Sequence, residues 1–306
     1  MVRKRHSILN YRNPLTTAAR KLSLAGGGQS KGFTLIELLV VIAVMAILAG
    51  LLLPTLARAK ARAQGIICVS NTRQLALACL MYAPDHNDRL PYNLGRPAAS
   101  TNLDNWAAGV LDWELTPDNT NALLLAASAL GPYIGKVVNA YRCPADTVLS
   151  SLQRQAGWSY RVRSYSLNAS IGDAGDFSTA GYNVNNPGYV QFFKLASIPQ
   201  PADIFFFLDE HPDSISDGYF LNKVNPATYS GYGGHGTGNE WIRLPASYHN
   251  GAAGVSFADG HAETHRWQYA ATKPPALPDA ARLPALIPAG QIADFDWVVD
   301  RMSVGR

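Results

Sequence analysis

Cysteines and recognisable catalytic or metal-binding motifs are scarce in this sequence. Three cysteines among 306 residues allow at most one intramolecular disulfide. Neither HExxH nor a paired CxxC is present, and no Ser/His/Asp or Cys/His arrangement carries a family-specific local sequence. Gly231, Gly233 and Gly236 match the dinucleotide fingerprint by letter, but no strand precedes them and no helix follows, so we expect a loop. The sequence therefore does not predict an enzyme.

Acidic residues are absent from the first 31 positions, which hold seven basic ones. The rest of the chain has 19 basic and 22 acidic residues, so it is slightly acidic although the whole chain carries a formal charge of +4. Nucleic-acid binding normally needs a basic patch. We therefore expect no nucleic-acid partner for the part that follows residue 31.

One long apolar run dominates the N-terminal part of the chain. Residues 38–53 carry no charge, and the stretch that begins at Phe33 has Glu37 as its single charged residue. A helix of that length would be roughly 30 Å long, which is the thickness of the hydrocarbon core of a bilayer. Because the run shows no polar face, it predicts a membrane span rather than a buried core helix.

The residues Lys31-Gly-Phe-Thr-Leu-Ile-Glu37 and the run behind them resemble the N-terminal signature of type IV prepilins and of type II secretion pseudopilins. The resemblance implies that a prepilin peptidase and methyltransferase cuts after Gly32 and methylates Phe33. It further implies that Glu37 directs assembly by meeting the free amine of Phe33 in a neighbouring pilin subunit. Pro54 lies where family members often carry a helix-bending proline. An ordinary secretory signal or a plain signal anchor is the alternative.

The resemblance and the charge distribution together predict how the chain is organised. Residues 1–32 are a basic cytoplasmic leader that is cleaved, and residues 33–53 are a single span of the inner membrane. Basic flanks stay cytoplasmic, so the C-terminal part would be exported to the periplasm or to a filament surface. Arg58, Lys60 and Arg62 follow the span, so this charge bias is not clean.

Beyond the span, residues 54–84 keep a helical pattern. An apolar stripe at 3.6-residue periodicity predicts that this second half of the helix is amphipathic and packs on a soluble domain. The stripe consists of Leu56, Ala59, Ala63, Ile66, Ile67, Leu75, Ala78 and Met81. A coiled-coil dimer is the alternative for this half, but no clean heptad runs through it. We expect one helix over residues 33–82.

Residues 85–306 predict an α+β domain with an antiparallel sheet, so the fold class is α+β with a long N-terminal helix. Strands are expected at 163–168, 190–195 and 204–208, and the last is a continuous apolar run suited to a central strand. Short helices are expected at 121–130 and 294–302. Residues 254–258 and 261–267 predict a hairpin joined by a two-residue type I′ turn at Asp259-Gly260. Residues 229–238 are expected to be a Gly-rich loop, and residues 270–288 to be extended.

His249 precedes Asp259-Gly260 by a spacer of nine residues, in the segment 249–267. This pattern resembles the prepilin-processing-associated H-x9-DG domain of bacterial prepilin-like proteins. Three further segments are similar to such proteins: Asn71-Thr-Arg-Gln-Leu75, Tyr141-Arg-Cys-Pro144 and Asp209-Glu210-His211. The resemblance implies ancestry and leaves the mechanism open.

Metal binding is an alternative for the polar residues of these segments. His249, Asp259, His261, Asp209 and Glu210 offer imidazole and carboxylate ligands, for zinc or for calcium. A structural role is the simpler interpretation, with Asp259 shaping the turn and His249 forming a hydrogen bond across it. We therefore expect no cofactor and keep calcium and zinc as alternatives.

The positions of the three cysteines allow one intramolecular disulfide that includes Cys143. Cys68 and Cys79 are eleven residues apart on the expected helix, about 16 Å, which is too far for a bridge. A Cys68–Cys143 disulfide would connect the helix to the domain, and buried free thiols are the alternative.

Together these observations predict a membrane-anchored, non-enzymatic subunit of a pilus or of a type II secretion-type filament. A membrane-tethered module that binds a protein or a glycan and never polymerises is one alternative. A metal-dependent hydrolase using His249, Asp259 and His261 is the other.

Overall fold

The computed structural model describes residues 32–223, 240–278 and 283–306. It divides into two compact units, Met1–Leu51 and Leu52–Arg306. The leader up to Lys31 and the Gly-rich segment 229–238, with its dinucleotide-like pattern, lie outside the described residues.

A long helix, α1, spans Leu35–Asp85 and contributes to both units. This confirms the expected helix to within three residues at each end. In the first unit every described side chain is exposed, from Phe33 at 71% to Leu51 at 70%. Among the described residues, α1 is the one helix with a stretch long and apolar enough to cross a membrane, judged by length and composition.

In the second unit, α1 buries mostly small residues rather than the whole apolar stripe that the sequence predicts. Its buried positions recur every three or four residues and are Gly65, Cys68, Thr72, Leu75, Ala76, Ala78, Cys79, Tyr82 and Ala83. Leu75 and Ala78 of the predicted stripe are among them. Ile66, Ile67 and Met81 instead lie on the opposite side of the helix, where they are 72%, 49% and 51% exposed. The predicted stripe is wrong in part because the helix packs so closely on the sheet that small side chains fit at the contact better than large apolar ones.

The principal sheet has five strands: β1 (Tyr165–Asn168), β5 (Phe205–Asp209), β6 (Tyr219–Phe220), β8 (Ala252–Phe257) and β9 (Ala262–Arg266). Their order is β6-β1-β5-β8-β9, with all pairs antiparallel except β1 and β6. The apolar run at 204–208 therefore forms the central strand, as expected. Both faces of β5 and β8 are buried.

Each face of this sheet packs against a different layer. On one face, Leu167 and Phe207 join Cys68 and Leu75 of α1 in a common core. On the other face, Phe205 and Val255 pack with Trp241, Trp267 and a C-terminal helix. The sheet is thus the middle layer of the second unit.

The remaining elements are short. The helices are α2 (Ala122–Ala127), α3 (Ser151–Gln155) and α4 (Ala293–Asp300). A three-stranded sheet contains β2 (Ser178–Thr179), β3 (Tyr182–Asn183) and β4 (Asn186–Val190), and β7 (Glu240–Trp241) pairs with β10 (Ala285–Leu286). The helices at 121–130 and 294–302 are confirmed in shorter form. The strand expected at 190–195 is wrong, because the chain leaves β4 at Val190 and turns at Leu195–Ser197.

The hairpin of β8 and β9 exists, but its turn differs from the prediction. Gly260 N donates to Phe257 O, and Phe257 N donates to His261 O, so three residues form the loop. Gly260 has φ +90° and Asp259 has no positive φ, whereas a type I′ turn needs positive φ at both central residues. The pairing is therefore Ser256 with Ala262, one residue away from the register of a two-residue turn.

We predict that Gly254→Ala destabilises the protein through the contact between α1 and β8. A Cβ at Gly254 would lie 2.8 Å from Cys68 Sγ and 3.4 Å from Val69 N, so the helix would have to move. We expect a loss of ~1–3 kcal/mol in the free energy of unfolding, measured by chemical denaturation of the detergent-solubilised chain. Gly188→Ala is the matched control, because nothing lies within 4 Å of its Cβ position. Equal effects of the two substitutions would contradict the tight contact.

Candidate functional site

The first candidate site is the start of α1, which Thr34 and Glu37 close by reciprocal hydrogen bonds. Thr34 N and Thr34 Oγ1 donate to Glu37 Oε2 at 2.9 and 2.7 Å, and Glu37 N donates to Thr34 Oγ1 at 3.2 Å. This is a capping box, which satisfies backbone donors that the first helical turn leaves free. Sequence analysis missed this role, although Thr-x-x-Glu before an apolar run is its signature. Glu37 therefore has a local structural role in addition to the one that the prepilin resemblance implies.

The second candidate site is a buried cluster at the contact between α1 and the sheet. It contains Cys68, Cys143, Asp209 and His249, and their ligand-type atoms all lie within 4.8 Å of one another. Cys68 Sγ donates to Asp209 Oδ2 at 2.5 Å. His249 Nε2 lies 3.3 Å from both Cys143 Sγ and Asp209 Oδ2. None of the four residues is more than 6% exposed.

Four separate segments bring these side chains together. Cys68 lies on the buried side of α1, Asp209 ends the central strand, and His249 lies in the turn before β8. Cys143 follows a short helical turn at Val138–Tyr141. Because these segments are distant in sequence, spacing alone could not have revealed the cluster.

Side chains of α1 position the Cys143 segment. Asn71 Nδ2 donates to Arg142 O at 3.0 Å, and Gln64 Nε2 donates to Pro144 O at 3.1 Å. The carbonyls on both sides of Cys143 are thus held by the helix that carries Cys68.

Two glycines permit the close packing around the cluster. A Cβ at Gly65 would lie 3.3 Å from His249 Cγ, and one at Gly254 would lie 2.8 Å from Cys68 Sγ. Gly254 N also donates to Asp209 Oδ2 at 3.3 Å. The absence of side chains at these two positions lets the ring of His249 and the thiol of Cys68 reach Asp209.

The electrostatics of the cluster follow from burial. Burial raises the pKa of the Cys68 thiol well above its usual range, and the hydrogen bond with Cys143 and the charge of Asp209 add to the rise. Burial alone would lower the pKa of His249, but hydrogen bonds to Asp209 and Cys143 outweigh it and raise the pKa to about 10. The polypeptide alone therefore favours a protonated Cys68 and a protonated His249 beside Asp209.

The structure corrects the disulfide prediction. Cys68, Cys79 and Cys143 are all buried free thiols, so no Cys68–Cys143 bridge is formed. The two cysteines do lie in one cluster, as the prediction required. They contact Asp209 and His249 respectively, so each thiol has a polar partner other than a disulfide.

The structure separates the other residues predicted as metal ligands. Asp259 and His261 form an exposed pair at the hairpin turn, with Asp259 Oδ1 2.6 Å from His261 Nδ1. Burial alone would raise the pKa of Asp259, but the backbone N–H and the ring of His261 hold it below its usual value. Asp259 and His261 thus lie outside the cluster of His249, and Asp259 shapes the turn as expected. The expected hydrogen bond from His249 across the turn is wrong, because its ring contacts Cys143 and Asp209 instead.

Glu210 is buried on the opposite side of the strand from Asp209, because successive side chains of a strand alternate. It accepts hydrogen bonds from Ser166 and Ser214 and lies 3.8 Å from Arg243. Burial raises the pKa of Glu210, and the charge of Arg243 opposes that rise. Glu210 therefore belongs to a separate polar network.

A cavity of about 460 Å³ lies beside this network and includes Arg96, Trp113, Arg161 and Arg243 in its lining. The three arginines have partners within the protein. Arg96 donates to Leu111 O, Arg161 lies over the Trp113 ring at 4.0 Å, and Arg243 pairs with Asp217 at 2.9 Å. Only Arg243 is paired with a carboxylate, and Nε and Nη1 of Arg161 are buried without a hydrogen-bond partner among the described residues.

Comparisons with known proteins agree with the architecture. Residues 28–53 match the family model described as a prokaryotic N-terminal methylation motif. Residues 55–219 match the model described as a protein of unknown function (DUF1559). The type IV wide pilus major component PilA4 of Thermus thermophilus is 35% identical over 100 residues, which cover 33% of this chain and 67% of the relative. No solved structure matches the chain significantly.

A prepilin-type N-terminus on a membrane-length helix, followed by an α+β domain, defines a membrane-anchored pilin or pseudopilin-like structural subunit. The chain belongs to the DUF1559 family, whose model covers more than half of it. The prepilin motif and the similarity to a pilin, rather than the DUF1559 match, point away from an enzyme. The prepilin motif implies processing by a prepilin peptidase and assembly with other pilin subunits. The resemblance to the H-x9-DG domain is not tested by these comparisons and stays a prediction.

We predict that Asp259 acts mainly through its side-chain oxygen in the turn and that its charge makes the smaller contribution. Asp259→Asn keeps an acceptor for the His261 N–H, which lies at 2.9 Å, and should cost less than the alanine substitution, since it loses only the stabilisation that the lowered pKa of Asp259 indicates. Asp259→Ala removes the acceptor and should cost about 0.5–1.5 kcal/mol in chemical denaturation. If both substitutions were equally destabilising, the charge itself would be required and the turn role would be wrong.

Proposed function

We propose that this chain is cut between Gly32 and Phe33 by a prepilin peptidase, methylated at Phe33, and assembled into a type IV pilus or a type II secretion-type filament. The observation that carries the proposal is the start of α1, where Glu37 is the single charge in the exposed apolar stretch of residues 33–53. Such a helix needs an apolar environment. A bilayer provides it before assembly, and neighbouring subunits provide it in a filament.

The proposed orientation places the leader in the cytoplasm, residues 33–53 in the inner membrane and the sheet domain outside the cytoplasm. Seven basic residues precede the span and no acidic ones do. Basic flanks favour the cytoplasmic side. The domain would then be exported to the periplasm or displayed on the filament.

Glu37 would select and align neighbouring subunits. Cleavage after Gly32 creates a positively charged amine at Phe33, and opposite charges attract far more strongly in an apolar medium than in water. Both hydrogen bonds from Thr34 end on Oε2 of Glu37, which leaves Oε1 for another donor. A carboxylate in an apolar environment is costly without a partner, so the pairing would favour the assembled state.

The exposed side of the second half of α1 offers a further contact between subunits. Ile66, Leu77 and Met81 recur on the side opposite the sheet and are 72%, 40% and 51% exposed. In a filament this surface would be covered by helices of neighbouring copies. A tethered module that never polymerises would leave it in water.

The alternative functions have weaker support. The cavity of about 460 Å³ is the place where a tethered binding module would hold a ligand, but Arg243 in its lining is already paired with Asp217, and Arg161 lies over the Trp113 ring. A metal hydrolase needs an open coordination position for water. The buried cluster of Cys68, Cys143, Asp209 and His249 is closed to solvent, which disfavours hydrolysis there.

We predict that Glu37→Gln abolishes filament assembly while Thr34→Ala does not. Glutamine keeps the oxygen acceptor of the capping box but lacks the charge that would meet the neighbour's amine. Thr34→Ala removes the cap and keeps the charge, at a cost of ~1 kcal/mol to the helix. The measurement is the amount of this protein in the sheared filament fraction of the host, relative to the amount in the membrane.

Both variants should remain in the membrane and keep a normally folded domain, which limited proteolysis checks. Loss of assembly in Thr34→Ala together with normal assembly in Glu37→Gln would show that Glu37 acts through the cap alone. Normal assembly in both variants would favour the non-polymerising binding module.

A further inference from the structure

We propose that Cys68, Cys143, Asp209 and His249 form a structural zinc site that connects α1 to the sheet. The four side chains supply two sulfurs, one oxygen and one nitrogen from four distant segments. This set of donors is typical of zinc, which binds cysteine, histidine and carboxylate ligands in tetrahedral sites. Calcium is disfavoured because it binds oxygen ligands.

The distances between the donor atoms suit a small cation. Ligands at the usual zinc distances of about 2.0–2.3 Å are separated by about 3.3–3.8 Å along the edges of a tetrahedron. His249 Nε2 lies 3.3 Å from both Cys143 Sγ and Asp209 Oδ2, and every pair of donors is within 4.8 Å. Cys68 Sγ and Asp209 Oδ2, at 2.5 Å, would separate by about 1 Å to admit the ion.

Burial explains why a cation would stabilise this arrangement. A carboxylate removed from water is costly unless its oxygens have partners. Among the described residues, Asp209 Oδ1 has no hydrogen-bond partner. A protonated His249 would offset the charge of Asp209 but would give no reason for both thiols to converge on the pair. A zinc ion would bind all four groups, with the two thiols losing their protons on binding.

The closed environment indicates a structural ion rather than a catalytic one. Catalytic zinc sites keep one position for water or substrate, whereas structural sites have four protein ligands. Here four ligands are present and Cys68, Cys143 and Asp209 are 0% exposed. The backbone around Cys143 is also held by Gln64 and Asn71 of α1, so the ion would complete an existing connection.

The test uses the full chain, purified in detergent under reducing conditions and incubated with zinc before unbound metal is removed. Metal content is measured by elemental mass spectrometry for the wild type, Cys68→Ala, Cys143→Ala and Cys79→Ala. Cys79 is the matched control, because it is a buried thiol on the same helix and lies outside the cluster. We expect about one zinc ion per chain in the wild type and in Cys79→Ala, and loss of bound zinc in the other two variants.

Two further measurements keep the test informative if the Cys68 or Cys143 variant fails to fold. Cobalt bound in place of zinc should give the wild type and Cys79→Ala sulfur-to-metal charge-transfer absorption and the strong visible bands of a tetrahedral site. A chelator should lower the melting temperature of both proteins by at least about 5 °C.

Absence of zinc and of these cobalt bands in a folded wild type would overturn the proposal. So would a Cys68–Cys143 disulfide found by mass spectrometry of protein isolated from the host without reductant, because a disulfide removes two of the four ligands. Loss of zinc in Cys79→Ala to the same extent as in Cys68→Ala would also overturn it. Filament assembly is not measured in any of these experiments, so their outcome is independent of the proposed function.

Discussion

The close approach of α1 to strand β8 is the contact on which the domain depends. Cys68 on the helix faces Gly254 on the strand so closely that a Cβ at Gly254 would lie 2.8 Å from the sulfur. Small residues let the helix backbone approach the sheet, and the dense packing of protein interiors makes such contacts sensitive to a single added methyl group. Leu75 and Phe207 then fill the common core around this contact.

The same helix serves two environments with two different surfaces. Its first part is apolar all round and exposed, which fits lipid or the interior of a filament. Its second part buries mostly small residues against the sheet and exposes Ile66 and Met81 on the other side. A pilin-like subunit needs this division, because one helix must both anchor the domain and contact other copies.

Polar groups at the buried contact specify how the helix meets the sheet. Asp209 accepts hydrogen bonds from Cys68 on the helix and from Gly254 N on the strand. A one-residue shift of the helix would turn Cys68 by about 100° and leave Asp209 buried without that partner. Apolar packing alone would penalise such a shift less. The cluster therefore fixes the register of the contact, whether or not an ion completes it.

Much of the fold could be predicted from sequence because its signals are local. The apolar run at 38–53, the central strand at 204–208 and the hairpin around Asp259-Gly260 are continuous segments with a clear composition. The turn shows where local signals fail. Because the loop has one additional residue, Ser256 pairs with Ala262 and Val255 pairs with Glu263. A two-residue turn would have paired Val255 with Thr264.

The candidate sites divide in the same way. Glu37 stands out in sequence because a charge in an apolar run is rare, and the capping box follows from Thr34 three residues earlier. The cluster of Cys68, Cys143, Asp209 and His249 depends on four distant segments and could not be predicted from spacing. Asp209 and Glu210 were predicted together, but alternation along the strand sends them to opposite faces.

The proposed entry of this chain into the pilin pathway depends on processing of its N-terminus. Mass spectrometry of the N-terminal peptide from host membranes measures that processing. We expect a mature chain that begins at N-methylated Phe33, with no peptide from the leader. A membrane-bound chain that still begins at Met1, or one that is cut beyond Leu53, would contradict this expectation.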